Sequence, residues 1–390
     1  MTDSDAGALG RLADALRRES PWPGFHPGQW PLLVIVGDHA LLRGHPELAA
    51  DAIRVVDPPL GVQNRYRGVP TACVEDGPDA EKRIWEAAFR LHLRHRLHRL
   101  PPTGMPDPDP SPLLAAMAEM EELVRAEALA ATPERLPRAI RTLCLIRRER
   151  RGQLPDEQAE WEDASEVWEG LPAYVAGSSP RNRWARAGAA AAQQLDGLEP
   201  GWQRAWEGGR TNLHAYLERY VRFDAGEGDE ALVLGALARH GYPLLLAAAR
   251  DRIAAARTAR NTLFNGILRG EGSLLVVDTS ALGEGFVEAA QAGQPVNAGM
   301  SVYAGDVAFR YRGAEVFFHD VPVAQDRRAG LLQARVRGQL RMSGDGQPLQ
   351  SDAAFSERLE LVLPGVSVRA RAGSVRPIDA GLYVKLEPPR

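Results

Sequence analysis

The sequence predicts an α+β protein in three parts. These are an N-terminal α/β lobe over residues 1–112, a helical region over 113–270 and an antiparallel β domain over 271–390. Three observations predict it. Short apolar runs and one long amphipathic stretch alternate as far as a Pro-rich segment, PPTGMPDPDPSP at Pro101–Pro112. Apolar residues then recur at three- and four-residue spacing almost to Leu268. From Gly272 the period becomes two, and Gly, Asp and Pro turns interrupt it.

Within the first part, MTDSDAGALGRLADALRRES reads as a short amphipathic helix, and PWPGFHPGQWP as a loop. Leu32–Val36 is a continuous apolar run suited to a buried strand. His39 and His45 then fall in or near turns, where histidines are usually solvated. Ile53–Val56 is a second strand closed by Asp57-Pro58-Pro59, and Tyr66–Val74 a third. Pro70 in that third run favours an edge or a bulge. Asp79 is a plausible N-cap for a helix over Glu81–Leu100, EKRIWEAAFRLHLRHRLHRL, which has strong helix formers and no Pro or Gly. Pro101–Pro112 is an exposed linker unable to hold a helix.

In the second part, helices are expected over Leu113–Ala131, Ala139–Arg151 and Asp156–Val175. The basic end of the second, LIRRERRGQLP, alternates Arg and Glu and reads as a solvated face. Gly209–Leu268 is largely helical. His214 and His240 sit on helical faces and read as core histidines, and Tyr216, Tyr220 and Tyr242 as packing residues. The third part carries alternating segments such as SVYAGDVAFRYR and ERLELVLPGVSVRARA, giving a sandwich or an open barrel. In QARVRGQLR the Arg side reads as a solvated outer face.

Composition narrows the function. The 390-residue chain has a net charge of −4, so no basic surplus points to nucleic acid. Arg carries nearly all the positive charge, with Lys82 and Lys385 as the lysines, and the abundance of Ala, Gly and Pro suits a GC-rich bacterial genome. Cys73 and Cys144 form no C-x-x-C pair, so a thiolate zinc site or a disulfide framework is not expected. No apolar run approaches membrane-spanning length, and the start of the chain lacks the pattern of a signal peptide. A cytoplasmic location is the expectation.

The long helix contains W-E-A-A-F at Trp85–Phe89. With His at both ends it would read H-E-A-A-H, the zinc-peptidase signature in which two His at i and i+4 grip the ion and the Glu acts as general base. Further on stands RRERRGQLPDEQAEWEDASEVWEGLPAYV, followed by a small-residue segment and L-D-G-L-E-P-G-W. Taken in order, these strings resemble bacterial gluzincin-type (H-E-x-x-H…E) metallopeptidase-like proteins, over roughly Leu32–Trp202. The resemblance implies a zincin-like N-terminal lobe. Glu86 would be a vestigial general base, Trp85 and Phe89 the former histidine-ligand positions, and Glu169 a vestigial third zinc ligand. Gly170, Leu171, Tyr174, Leu195-Asp196 and Pro200-Gly201-Trp202 keep further motif positions. The sequence departs from the pattern at Trp168, where a polar residue is usual.

Trp85 and Phe89 cannot ligate zinc, since an indole N–H only donates. One carboxylate, Glu169, would not hold the ion. The two rings are expected to fill the metal cavity, and Glu86, facing Glu169 without a cation, to recruit an Arg such as Arg90. The expected protein is therefore an inactive, metallopeptidase-like pseudoenzyme without a cofactor, with a binding, regulatory or structural role and a protein or peptide partner. The alternative is a zinc-dependent hydrolase with relocated ligands, His92 and Glu169. His92 lies one turn beyond Phe89 on the same helical face. His92, His95 and His98 together otherwise read as a basic helix end.

Overall fold

The computed structural model describes residues 3–49, 51–57, 65–99, 111–180, 182–209, 212–221, 227–283, 285–289, 293–297, 299–311, 313–337, 341–344, 347–348, 353–355, 359–379 and 381–388. It is an α+β protein with a strand-rich C-terminal region. Two compact units divide the chain near residue 251.

The first unit opens with α1 (Asp3–Arg17), β1 (Leu32–Val36) and β2 (His39–Arg43), then β3 (Ile53–Val56), β4 (Arg65–Tyr66), β5 (Val69–Pro70) and β6 (Ala72–Glu75). β1, β2, β3 and β6 form one sheet in the order β3-β2-β1-β6, with β6 parallel to β1 and the other pairs antiparallel. Because side chains alternate along a strand, Leu32, Val34 and Val36 enter the main core while Leu33 packs with Ala40, Leu42, Tyr66 and Cys73 on the other face. Both faces are covered, which is why β1 is apolar throughout. α2 (Ala80–His95) follows and packs against α1 and β6.

The helices continue with α3 (Pro112–Leu129), α4 (Leu136–Arg151) and α5 (Asp156–Ser165). One π-helical turn, Glu166–Gly170, joins α5 to α6 (Leu171–Ala176). Then come α7 (Arg183–Leu198), α8 (Trp202–Glu207), α9 (Leu213–Leu217), α10 (Glu227–Arg239) and α11 (Tyr242–Arg269). α7 lies directly on the π turn. A Cβ at Gly188 would come within 2.0 Å of the Glu166 carbonyl oxygen, and one at Gly170 within 2.5 Å of the Gly188 Cα. Only glycine at both positions permits this backbone-to-backbone crossing. The expected lobe (1–112) and helical region share one core, in which Leu32, Ile84 and Phe89 pack in the same cluster as Ile140, Leu171 and Trp202.

The second unit is a sandwich of two sheets. One has eight strands, in the order Ala353–Phe355, Ala372–Ile378, Gly381–Glu387, Ser273–Asp278, Leu331–Val336, Val323–Asp326, Met300–Tyr303 and Gln294–Asn297. The other has seven, running from Gln347–Pro348 to Phe286–Ala289. Val277, Leu332 and Val384 of the first meet Phe309, Val316 and Val368 of the second in one core. Pairing is antiparallel except between Gly381–Glu387 and Ser273–Asp278, a parallel pair that the period-two reading did not anticipate.

Several local expectations differ from the structure. His39 stands beside the expected turn, a tight hairpin with Gly37 at φ +60°, but opens strand β2 and pairs with Asp5 at 2.7 Å where a solvated ring was expected. Tyr66–Val74 is broken into three short strands, because Arg67 and Gly68 turn the chain through positive φ and Pro70 cannot donate to a ladder. The key helix ends at His95, five residues early, and His98 takes φ +52°. Pro101–Pro110 and the Pro58-Pro59 turn lie outside the described residues, while Ser111 and Pro112 start α3: Ser111 Oγ accepts from Leu114 N–H at 3.2 Å. Arg335, expected on a solvated face, donates instead to the carbonyls of Ile267 and Leu268 at the end of α11 and of Gly272. Those carbonyls have no partner within the helix, so a guanidinium suits them. Among the described residues no single helix is long and apolar enough to cross a membrane. The pair α10–α11 meets that test only if its two arms, bent by 62°, are taken together.

Candidate functional site

α2 presents two faces of different chemistry. Ile84, Trp85, Ala88 and Phe89 are buried in the core. The rings of Trp22 and Phe25 meet Phe89 edge-on, with centroids 5.0 Å and 4.9 Å away, and Trp85 Nε1 donates to the Ala15 carbonyl at 3.0 Å. On the other face Asp79, Lys82, Arg83, Glu86 and Arg90, spaced by three and four residues, line a cleft of about 790 Å³. The opposite wall is Glu169 and Ala173 from the π turn and α6, Ser178 to Pro180, and Asn182 and Ala185 at the start of α7. Glu86 and Glu169 therefore share one cleft.

The aromatic rings do not. Each residue turns the helix by about 100°, so Trp85 and Phe89 point into the core while their neighbours Glu86 and Arg90 point to the cleft. The expectation that Trp85 and Phe89 plug the space between the two glutamates is corrected: they belong to the core, and the space is open. Glu86 accepts from Ser178 Oγ at 2.6 Å and pairs with Arg90 at 3.4 Å, the Arg expected for it. Glu169 accepts from Asn182 Nδ2, and Asn182 Oδ1 caps α7 through Ala185 N–H.

Zinc in the peptidase arrangement does not fit these residues. The two positions that should supply imidazole are fully buried rings in the core, one of them already donating its N–H. His92 does not make up the set. It packs against Phe25 and Phe89, with Nε2 3.8 Å from Glu207 Oε1, and is not part of the cleft lining. Burial holds its pKa below the usual histidine value against the pull of Glu207. His95 meets Trp30 at a tilt, with ring centroids 5.6 Å apart, and His98 lies beyond the helix.

A second constellation was not read from the sequence. Arg147 and Arg150, expected on a solvated face, are each 2% exposed. Arg147 forks onto Glu166 at 2.7 and 3.0 Å and reaches Glu121 at 2.9 Å. Arg150 forks onto Glu162 at 2.9 and 2.6 Å and reaches Glu121 at 2.8 Å. Arg125 and Arg151 complete the cluster on Glu121 and Asp163. Burial opposes ionisation of Glu121, yet the guanidiniums of Arg150, Arg147 and Arg125 outweigh it and hold the carboxyl well below its usual range. Burial pushes Glu166 the other way, against the fork of Arg147. The missed signal was i, i+3 and i+4 spacing: Arg147, Arg150 and Arg151 share a face of α4, as Glu162, Asp163 and Glu166 do along α5 and the π turn.

His214 of α9 completes this cluster, 3% exposed, with Nε2 3.6 Å from Glu166 Oε2 and neither ring nitrogen hydrogen-bonded. Burial first, then Arg147 and Arg125, press its pKa well below the ordinary 6.5. One ligand atom each from Glu121, Glu166 and His214 lie within 4.8 Å of one another, a grouping of the size a metal ion needs. The oxygens of Glu121 and Glu166 already accept from Arg147 and Arg150, so an ion would have to displace a buried guanidinium and add charge to a cluster in which Arg125, Arg147, Arg150 and Arg151 balance four carboxylates.

The remaining motif residues are structural. Tyr174 O–H donates to Asp196 at 2.9 Å and Trp202 Nε1 donates to it at 3.0 Å, while Gly201 takes φ +85° to start α8. E-G-L-x-x-Y and L-D-x-x-x-P-G-W are thus two halves of one contact. Of the other residues singled out, His240 pairs with Glu127 at 3.0 Å and Tyr216 donates to Glu199 at 3.0 Å. No protein-family model, curated protein or solved structure matches this chain.

Proposed function

We propose that the protein is a catalytically inactive, metallopeptidase-like protein that works by binding a ligand, in the manner of a pseudoenzyme, in the cleft between α2 and the α6–α7 turn. One observation carries this reading. Glu86 and Glu169 stand on facing walls of one open cleft, while Trp85 and Phe89 are core residues that cannot turn to meet an ion between them. The zincin-like ancestry of the first unit belongs to the same proposal, supported by the packing of α2 against α6 and by the bonded E-G-L-x-x-Y and P-G-W segments.

The cleft walls are suited to holding and not to hydrolysis. A zinc peptidase needs an ion-bound water whose pKa is lowered to about 7. Here Glu86 already accepts a hydroxyl and Glu169 a side-chain amide. The expected outcome with a broad peptide library is no turnover above buffer, unchanged by added zinc or chelator. Chelator-sensitive cleavage that Glu86→Gln abolishes would contradict the proposal. The relocated set of His92 and Glu169 has no observation in its favour, as the two residues belong to different environments. Its own check is chelator-sensitive activity that His92→Ala removes.

A further inference from the structure

We propose that the cleft takes a carboxylate group, gripped by Arg83 and Lys82. This deepens the binding role proposed above and rests on it. The charges in the cleft are paired unevenly. Glu86 has Ser178 and Arg90, and Glu169 has Asn182. On the same wall, among the described residues, neither the Lys82 nor the Arg83 side chain has a hydrogen-bond or ion-pair partner, and the Nε of Arg83 is buried without one.

The end of the Arg83 side chain packs over Gly77, where a Cβ would come within 2.8 Å of Arg83 Nη2, so a larger residue there would move the guanidinium. A guanidinium with a buried, unanswered N–H is an incomplete contact, and the planar fork of its other end matches a carboxylate through two parallel hydrogen bonds. Lys82, one turn from Glu86 and exposed, adds a mobile cation at the same mouth. The ligand's charge follows from the whole lining. Three cations, Lys82, Arg83 and Arg90, face three carboxylates, Asp79, Glu86 and Glu169. A dianion such as phosphate would meet those carboxylates, whereas a monoanion needs only the fork and the lysine.

The composition provides a direct probe, because the chain has two lysines, Lys82 in the cleft and Lys385 in the second unit. Reductive ¹³C-methylation of the full chain gives each a resolvable methyl signal, and acetate is then titrated at constant ionic strength. The expected result is a saturable shift of the Lys82 signal with Lys385 still, and Arg83→Gln weakening acetate by about tenfold. Lys82→Gln, at an exposed position that leaves the fold intact, should reduce the acetate-induced rise in melting temperature. An N-acetylated dipeptide acid against its amide then separates a peptide end from a free small acid, tighter binding of the acid than of acetate assigning the peptide end. The inference is overturned if both lysines shift together without saturation, if Arg83→Gln titrates like the parent, or if inorganic phosphate binds more tightly than acetate. Those outcomes leave the inactive-protein reading standing. That reading fails separately, on stoichiometric zinc and chelator-sensitive turnover in the same preparation.

Discussion

The charge cluster around Glu121 and the cleft around Glu86 are made of the same residue types, Arg against Glu, and behave as opposites. In the cluster Arg147 and Arg150 are buried and each forks onto a buried carboxylate from another element, so α3, α4, α5 and the π turn are tied together. In the cleft the charges stand along one stripe of α2, half exposed, and two cations are left over. Buried pairs are weak evidence of added stability but expensive to break, because the surviving partner is left as an uncompensated charge. Half-exposed pairs contribute little to stability and are free to exchange partners. The same chemistry is therefore structural where several helices close over it and available for binding where one helix faces a gap.

Substitutions should separate the two regions by size of effect. The largest test is restoring the peptidase signature with Trp85→His and Phe89→His together. Both rings sit in the aromatic core, so stability should fall by about 5 kcal/mol or more, read by urea unfolding, with no zinc gained. A stable double variant that binds zinc would mean that α2 presents these positions to the cleft. Next, Arg147→Met should cost about 3–5 kcal/mol by stranding Glu166 and Glu121. A near-neutral result would show that the cluster is solvated and not enclosed.

The third effect depends on pH. His214 in the folded protein has its pKa pressed well below 6.5, so the unfolded chain binds a proton near 6.5 that the folded chain refuses. Stability from this group should therefore fall as pH drops below about 6.5, by up to about 1.4 kcal/mol per pH unit. Glu121 adds a second loss of the same sign below its ordinary 4.5, while Glu166, shifted upward, offsets part of the His214 loss above its own ordinary 4.5. Thermal melts at pH 7.0 and 5.5 should show a smaller drop for His214→Gln than for the parent. Equal drops would place His214 in water. The smallest effect belongs to the cleft: Glu169→Gln should change stability by less than about 0.5 kcal/mol by calorimetry. A larger loss would make Glu169 a member of the buried network.

How much of this was legible in the sequence follows from which interactions are local. The LLVIV strand, the α2 stripe and the period-two segments of the second unit announced themselves, since each depends on one element's own pattern. Arg90 beside Glu86 was likewise readable at i+4. What α2 buries was not. W-E-A-A-F gives the spacing of two rings but not which face meets Trp22 and Phe25, 63 residues before Trp85 in the first case and 60 in the second. The Arg run on α4 failed for the same reason. Its partners Glu121, Glu162 and Glu166 come from other helices, so a string that looks solvated alone becomes interior once they close over it. The Gly170–Gly188 crossing left its mark only as two glycines in helices, unremarkable until the helices are seen to touch.

The most direct measurement of the central claim is the zinc content of the purified full chain, by mass spectrometry after dialysis against metal-free buffer, beside Glu86→Gln and Glu169→Gln variants. Substoichiometric zinc in all three, unchanged by either substitution, is the predicted result. One zinc per chain in the parent, lost on Glu169→Gln, would contradict it.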